Sequence, residues 1–185
     1  MPSLIGVCGI VLSITLLAGS SAFAVDLTQE QRARIEEAIL REVTPSVGVF
    51  DYVAFQLDAK GTVTLFGEVR DATLKTHAAE DAKKVEGVKR IRNQIEVLPP
   101  LPTDDQIRQA VYAAIYHQPG FIRYTQQAVP PVHIIVKNGY VRLEGFVANK
   151  LELAQVEAAA KGVPGVFSVT NNVRTDAEVD AREVR

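Results

Sequence analysis

Three histidines and two pairs of acids are the side chains of this chain that could bind a metal ion or transfer a proton. His77, His117 and His133 fall in different predicted elements, and the chain has no H-E-x-x-H zinc motif. Glu36–Glu37 is predicted on a helix face and Asp104–Asp105 at a helix N-terminus, where solvated carboxylates are ordinary. The chain also lacks a P-loop, a G-x-G-x-x-G motif and a G-x-S-x-G motif. The sequence therefore predicts no catalytic residue, no metal site, no cofactor and no small-molecule substrate.

A run of basic residues is the strongest charged feature, although the formal net charge of the 185-residue chain is only −2. The segment KKVEGVKRIR contains five of them: Lys83, Lys84, Lys89, Arg90 and Arg92. Near an anionic membrane, each such charge contributes about 1 kcal/mol of attraction. The alternative is an ordinary solvated face. The overall charge balance gives no indication of nucleic-acid binding.

The loop YHQPGFIRY is the second candidate contact, because aromatic and apolar residues lie on either side of Pro119–Gly120. Phe121, Ile122 and Tyr124 follow that turn, and aromatic side chains are favourable at a lipid–water interface. The alternative is that these side chains fold back over the core. The candidate lipid- or partner-binding residues therefore lie in the basic run and in this loop.

Both candidate contacts lie where two copies of one sequence unit differ. Three segments of the first copy return in the second: IEEAILREV (35–43) as IRQAVYAAI (107–115), GTVTLFGEV (61–69) as GYVRLEGFV (139–147), and VEGVKRIRNQIEV (85–97) as VPGVFSVTNNVRT (163–175). Self-similarity over this length indicates a tandem repeat of one supersecondary unit. The first copy carries the basic run, and the second has seven additional residues, 125–131, after the aromatic loop.

Each copy is predicted to form a helix, two strands, a second helix and a last strand. Alternating apolar residues predict a strand over 53–58. The first helix of each copy begins with the pattern of a capping box, which pairs Thr28 with Gln31 and Thr103 with Gln106. The predicted fold class is therefore α+β, with two tandem αββαβ domains, each a small three-stranded sheet with two helices on one face.

A glycine interrupts the apolar face of the repeated strand in both copies, at Gly67 and at Gly145. A glycine at such a position lets another backbone or a packed helix come close, and a β-bulge is the alternative. Gly87 follows the second helix, predicted over 72–86, and suits a left-handed C′ cap. Gly165 occupies the same position in the second copy, so all four glycines are interpreted as structural residues.

An asparagine lies on the apolar face of the last strand in both copies. These residues are Asn93 and Asn171, and a buried amide needs hydrogen-bond partners. We expect each asparagine to hold a neighbouring loop in place rather than to bind a ligand.

The ends of the chain differ from the repeated units. Residues 1–24 carry no charge and finish in SSAFA, which is typical of a signal peptide cleaved after Ala24. A membrane anchor is the rival interpretation, but the apolar run of about 16 residues is shorter than the roughly 20 that span a bilayer. Cys8, the only cysteine, lies inside this run rather than at the cleavage site, so the sequence predicts neither a lipoprotein nor a disulfide. The predicted divisions are a signal peptide (1–24), the first domain (28–98), a proline-rich linker (99–103), the second domain (104–175) and a disordered charged tail (176–185).

The two copies resemble the BON family, named for bacterial osmotic-shock and nodulation proteins. The resemblance rests on VTLFGEV with VEGVKRIRNQIEV and on VRLEGFV with VPGVFSVTNNV, and it covers residues 28–175. Two such units behind a signal peptide are similar to the periplasmic, osmotically inducible, transport-associated members. The resemblance implies an αββαβ fold, an envelope location and a non-enzymatic role in attachment to phospholipid or to envelope proteins.

We therefore expect a periplasmic or secreted protein that attaches to an anionic phospholipid surface or to envelope protein partners, with a role in stress adaptation. The alternative is a periplasmic chaperone, holdase or adaptor for unfolded envelope clients. A lipid-binding protein should show localised basic and apolar patches. A holdase should show a broad exposed apolar groove, for example between the copies.

Overall fold

The computed structural model describes residues 26–178, which form two units of the same topology. The predicted signal peptide, 1–24, and most of the predicted charged tail, 176–185, lie outside the described residues. Within residues 26–178, none of the helices has the length and hydropathy of a bilayer-spanning segment.

The first unit contains two helices and four strands: α1 (Gln29–Val43), β1 (Tyr52–Leu57), β2 (Thr62–Val69), α2 (Ala72–Lys84), β3 (Arg90–Asn93) and β4 (Glu96–Val97). β1 pairs antiparallel with β2, and β3 and β4 both pair parallel with β2 in a single register. β3 and β4 are therefore two parts of the one last strand that the sequence predicts.

The second unit repeats this arrangement: α3 (Pro102–Tyr116), β5 (Val132–Lys137), β6 (Tyr140–Val147), α4 (Lys150–Lys161), β7 (Ser168–Asn171) and β8 (Arg174–Thr175). β6 is again the central strand, antiparallel to β5 and parallel to β7 and β8. A 3₁₀ segment, Ile122–Gln126, lies between α3 and β5. The α+β class and the tandem αββαβ arrangement are as predicted.

Each unit has its own apolar core between the helices and one face of the sheet. Alternation along β2 directs Val63, Leu65 and Val69 toward α1 and α2, and all three are completely buried. Val141, Leu143 and Val147 occupy the same positions on β6. The other residues of these strands, beginning with Thr62 and Tyr140, therefore point to the sheet face that the helices do not cover.

The capping box is present on α1 and absent from α3. Thr28 Oγ1 accepts from Gln31 N–H at 3.2 Å, and Gln31 Oε1 accepts from Thr28 N–H at 2.9 Å, as predicted. The prediction for Thr103 is wrong, because α3 begins at Pro102 and its N-cap, two residues before Thr103, is Leu101, which makes no side-chain hydrogen bond. Proline suits this first helical position, since its missing N–H would have no partner there.

Asp104 is buried, which corrects the prediction of a solvated carboxylate. It is 1% exposed, and its two oxygens accept from the N–H groups of Asn138 at 2.7 Å and Gly139 at 2.9 Å. Those two residues form the turn between β5 and β6, and both have positive φ, +53° and +79°. The carboxylate of Asp104 therefore holds this turn against α3.

The glycines inside the central strands are in close contact with a neighbouring backbone. Gly67 has φ +123°, and an added Cβ would lie less than 3.0 Å from Tyr52 O on β1. Gly145 has φ +115°, and its Cβ would lie less than 3.0 Å from Pro131 O. The β1–β2 register is continuous through Gly67, so this position is a close approach and not a bulge, whereas Gly145 is the last paired residue of the β5–β6 register.

Gly87 and Gly165 lie in turns that follow the second helix of each unit. Gly87 is not the C′ residue as predicted, because the C-cap of α2 is Val85 and Glu86 follows it at C′. Val88 N–H donates to Val85 O at 3.2 Å, and Gly87 is the third residue of that four-residue turn, with φ +92°. Gly165 has φ +88° in the equivalent turn. Positive φ at the third position requires glycine, as in a type II turn.

Asn93 and Asn171 hold the bend that follows their own strand, as predicted, and they also connect that strand to the second helix. Asn93 Nδ2 donates to Lys75 O on α2 at 2.7 Å, and Asn93 Oδ1 accepts from Ile95 N–H at 3.2 Å. Asn171 Nδ2 donates to Leu153 O on α4 at 3.4 Å. Each asparagine thus holds a helix against the edge of its sheet.

A short segment of the first unit, Gly48–Phe50, packs on the second. Phe50 is 9% exposed and belongs to the apolar core of the second unit, where its ring meets Tyr112 edge-on at 6.0 Å. Val49 O accepts from Ile134 N–H at 2.8 Å, so it occupies a hydrogen-bond position on the outer edge of β5. Covering an edge strand in this way prevents it from pairing with another chain.

The sheet faces that the helices leave uncovered are turned toward each other. Glu68 on β2 accepts two hydrogen bonds from Arg142 on β6, and Glu96 on β4 accepts one from Lys137 on β5 at 2.5 Å. The rings of Tyr52 and His133 meet between these sheets, 5.9 Å apart. The two units therefore meet through ion pairs as well as through the apolar contact of Phe50.

Candidate functional site

The five residues of the basic run, called here the basic strip, are all exposed at the surface of the first unit. This basic strip comprises Lys83 and Lys84 at the end of α2, Lys89 after the turn, and Arg90 and Arg92 on β3. Lys84 Nζ donates to Asp81 Oδ1 at 2.8 Å, and this hydrogen bond raises the pKa of Lys84. The other four make no ion pair with any residue of 26–178. The strip is thus a positive surface that can meet an external anion.

The aromatic loop of the second unit is folded inward, which corrects the expectation of a lipid contact at Phe121 and Tyr124. Phe121 is completely buried and Tyr124 is 7% exposed, with 5.8 Å between their ring centroids. Tyr124 N–H donates to Phe121 O, and the 3₁₀ geometry places residues three apart on one side, here the core side. Ile122 lies on the other side and is 53% exposed, so it is the one candidate of the three that can contact a partner.

Tyr124 is held inside by a buried carboxylate on α4. Its hydroxyl donates to Glu152 Oε2 at 2.7 Å, and Arg123 Nη2 donates to Glu152 Oε1 at 2.5 Å. Burial raises the pKa of Glu152, but these hydrogen bonds to the ionised carboxylate outweigh burial and hold the pKa below its ordinary value. The attachment of the loop to α4 is therefore stronger while Glu152 is ionised.

We expect Glu152→Gln to remove a pH-dependent part of the stability of the second unit. A carboxyl with a folded pKa below its ordinary value of 4.5 stabilises the fold above that pH, and the contribution is lost as pH falls through the folded pKa. The wild-type free energy of unfolding should therefore fall more steeply than that of the variant between about pH 5 and pH 2. Urea unfolding at a series of pH values measures this difference. Glu37→Gln, which removes an exposed carboxyl on α1, should keep the wild-type slope; equal slopes in all three proteins would contradict the prediction.

An exposed aromatic pair on the second unit is the apolar surface that the sequence interpretation missed. Tyr140 is 60% exposed and Phe167 is 76% exposed, with 5.9 Å between their ring centroids. In the strand registers, Tyr140 corresponds to Thr62 and Phe167 corresponds to Lys89. A position-by-position comparison of the two copies would therefore have found this replacement of a lysine by a phenylalanine.

The histidines lie apart, as predicted. His77 is exposed on α2 and His117 follows α3, whereas His133 Nδ1 lies 3.1 Å from Gly48 O at the contact between the units. In the described part of the chain, no group of three or more histidine, cysteine, aspartate or glutamate side chains could hold a metal ion.

Comparisons with known proteins give one match to a family. Two solved structures of CdsD from Chlamydia trachomatis, described as a structural protein of the type III secretion system, align with this chain at a TM-score of 0.31 each. The first structure is 15% identical to this chain, and the alignment covers 84% of this chain and 98% of the CdsD chain. The second, a C-terminal domain, is 16% identical, and the alignment covers 80% of this chain and 98% of that domain. At these TM-scores the similarity supports no functional inference. No curated protein matches the chain.

The BON domain model, by contrast, matches residues 28–99 and again 103–177. The chain therefore belongs to the BON domain family and carries two BON domains in tandem.

Proposed function

We propose that this protein is a non-enzymatic envelope protein that attaches to an anionic phospholipid surface through the basic strip of its first unit. The observation that carries the proposal is that four of the five basic side chains are exposed and make no ion pair within residues 26–178. We place it in the periplasm or outside the cell. We include a role in stress adaptation, since the tandem arrangement resembles osmotically inducible proteins.

The expected attraction is moderate and reversible. About 1 kcal/mol for each basic residue gives on the order of 5 kcal/mol for the strip. That free energy corresponds to an affinity between the millimolar and the micromolar range. Attachment of this kind is weakened by salt, because screening shortens the reach of exposed charges.

The aromatic pair of the second unit can add an apolar contact. Tyr140 and Phe167 occupy the positions that Thr62 and Lys89 occupy in the first unit, so one unit presents a basic turn and the other an aromatic turn. Amphipathic rings are favourable at the level of the lipid headgroups. The aromatic pair therefore replaces Phe121 and Tyr124 as the proposed apolar contact.

Vesicle flotation tests the proposal. Wild-type protein should float with vesicles that contain phosphatidylglycerol and stay at the bottom with purely zwitterionic vesicles. Reversal of two charges, Lys89→Glu with Arg90→Glu, should abolish most of the flotation. Raising the salt should weaken flotation of the wild type, since the Debye length falls from about 10 Å at 0.1 M to about 3 Å at 1 M.

A matched control separates the strip from the net charge of the protein. Lys150 and Lys161 are exposed at the two ends of α4, and their reversal to glutamate changes the net charge by the same amount. This control should float like the wild type. Loss of flotation in the control to the same extent, or no flotation of the wild type at low salt, would exclude the basic strip as the attachment surface.

The holdase alternative is less well supported by the surfaces between the units. A holdase needs an apolar groove, whereas the facing sheets of the described residues meet through the ion pairs of Glu68 with Arg142 and of Glu96 with Lys137. Charged walls favour a charged ligand over an unfolded apolar segment. Suppression of client aggregation by protein that does not float would favour the holdase.

A further inference from the structure

The contact between the two sheets has two ends that are related by the repeat but differ in charge. Corresponding positions follow from the strand registers: Thr64 corresponds to Arg142, Glu68 to Phe146, and Glu96 to Arg174. The two ends can therefore be compared directly.

One end is closed by complementary charges. Arg142 and Lys137 of the second unit bind Glu68 and Glu96 of the first. Arg142 Nε also lies 3.0 Å from Glu144 Oε1. At this end each basic side chain thus has an acidic partner.

The other end is an open cleft with an excess of arginine. It has a volume of about 800 Å³ and is lined by Arg92 of the first unit and Arg174 of the second, together with Arg32, Gln56, Thr62 and Thr64. Within residues 26–178, neither Arg92 nor Arg174 makes an ion pair. Two guanidinium groups from different units therefore line one space without a salt bridge, although Arg92 helps to lower the pKa of Asp58 and Arg174 helps to lower that of Glu178.

The two acids that line the cleft already have partners. Asp58 accepts from the N–H groups of Lys60 at 2.9 Å and Thr62 at 2.7 Å, and the bond from Thr62 is the largest cause of its lowered pKa. Glu36 lies 3.8 Å from Arg32 on the same helix. Both carboxylates keep their negative charge, and Arg92 acts electrostatically on Asp58, so the lining of three arginines and two acids leaves one net positive charge for a ligand.

We infer that this cleft binds a phosphate-bearing anion between the two units. A guanidinium presents paired N–H donors that match the oxygens of phosphate, and threonine hydroxyls and a glutamine amide on the wall can complete its hydrogen bonds. The volume lies in the range of small-molecule sites and can accommodate an organic phosphate as well as the inorganic ion. The phosphate can come from a soluble compound or from a lipid headgroup. The inference stands independently of membrane attachment, although Arg92 belongs both to the cleft and to the basic strip.

Isothermal titration of the protein with inorganic phosphate and, separately, with dihexanoyl phosphatidylglycerol below its micelle concentration tests the inference. At least one of the two should bind saturably in chloride buffer. Arg92→Gln and Arg174→Gln should each weaken that binding by about tenfold, the usual effect of losing a charged hydrogen bond. Tighter binding of the short-chain lipid identifies a headgroup site, and tighter or equal binding of phosphate identifies a site for the soluble anion.

Arg41→Gln is the control, because it removes one exposed arginine of α1 outside the cleft and should leave the affinity unchanged. The anion should also raise the melting temperature of the wild type and not that of the Arg92 and Arg174 variants, since a ligand stabilises only the form that binds it. No saturable binding of either compound, or an equal loss in the Arg41 variant, overturns the inference. No vesicle is used, so failure here is distinct from failure of membrane attachment.

Discussion

Gly145→Ala is expected to unfold the second unit at temperatures at which the wild type is folded. The new Cβ would overlap Pro131 O, and that carbonyl cannot easily move because it accepts a hydrogen bond from Phe146 N–H at 3.3 Å. Overpacking costs about 1–3 kcal/mol, and a non-glycine residue held at an unfavourable positive φ costs about 1–3 kcal/mol more. The sum is a large part of the roughly 5–15 kcal/mol that stabilises a protein of ordinary size.

Gly120→Ala is the matched control for this prediction. Gly120 belongs to the same unit, but a Cβ added there would have no atom within 4 Å beyond its chain neighbours, and its φ is not in the left-handed region. Thermal melts followed by circular dichroism should show a large loss for Gly145→Ala and almost none for Gly120→Ala. Gly67→Ala should have the corresponding effect on the first unit, because its Cβ meets Tyr52 O. Melting of Gly145→Ala at the wild-type temperature would show that the strands can move apart without cost.

Phe50→Ala is expected to destabilise the second unit, although Phe50 belongs to the first. Its ring lies between Tyr112 of α3 and the guanidinium of Arg70, which is 5.1 Å from the ring centroid. Removal of a buried phenylalanine costs about 3–5 kcal/mol, since the lost contacts leave a cavity behind. Amide hydrogen exchange should therefore become faster in β5 and α3, measured residue by residue.

Phe167→Ala gives the same chemical change at an exposed position and serves as the control. Phe167 is 76% exposed, so its removal leaves no cavity and should leave exchange in β5 and α3 at the wild-type rate. Unchanged protection of the second unit in Phe50→Ala would show that the two units are stable independently and that the contact of Phe50 is incidental.

Features that follow from local pattern could be predicted from the sequence. Alternating apolar residues and the repeated glycines identified the central strands, and the close approach at Gly67 follows from a glycine on an otherwise apolar face. The capping box at Thr28 also depends on residues that are three apart. The similar pattern at Thr103 failed because the helix already begins at Pro102, with its N-cap two residues before Thr103.

Features that depend on residues distant in sequence could not be predicted. Asp104 was interpreted as solvated because nothing near it shows that it binds the turn at Asn138 and Gly139. In the same way, alternation shows that Glu68 and Arg142 point away from the apolar cores. It does not show that these two outward faces meet each other.

Only the exposed basic residues of the candidate site could be predicted, because the surroundings of its aromatic residues depend on contacts that are distant in sequence. A basic run on a strand edge stays exposed whatever its surroundings, because buried charges are costly, and Lys89 and Arg90 are indeed at the surface. An aromatic loop can equally cover a core or contact a lipid, and only the buried partner Glu152 decides the matter for Tyr124. Phe167, in contrast, lies in a short turn with no core above it.

The position of Gly48–Phe50 has a consequence for how this repeat can change in evolution. The boundary in the sequence, at the proline-rich segment, is not the boundary in the packing, since the first copy fills the core of the second and covers the edge of β5. A gene that lost its first copy would encode a second copy with a cavity and an open strand edge. Loss of the first copy is therefore expected to destabilise the second, which favours keeping the two copies together.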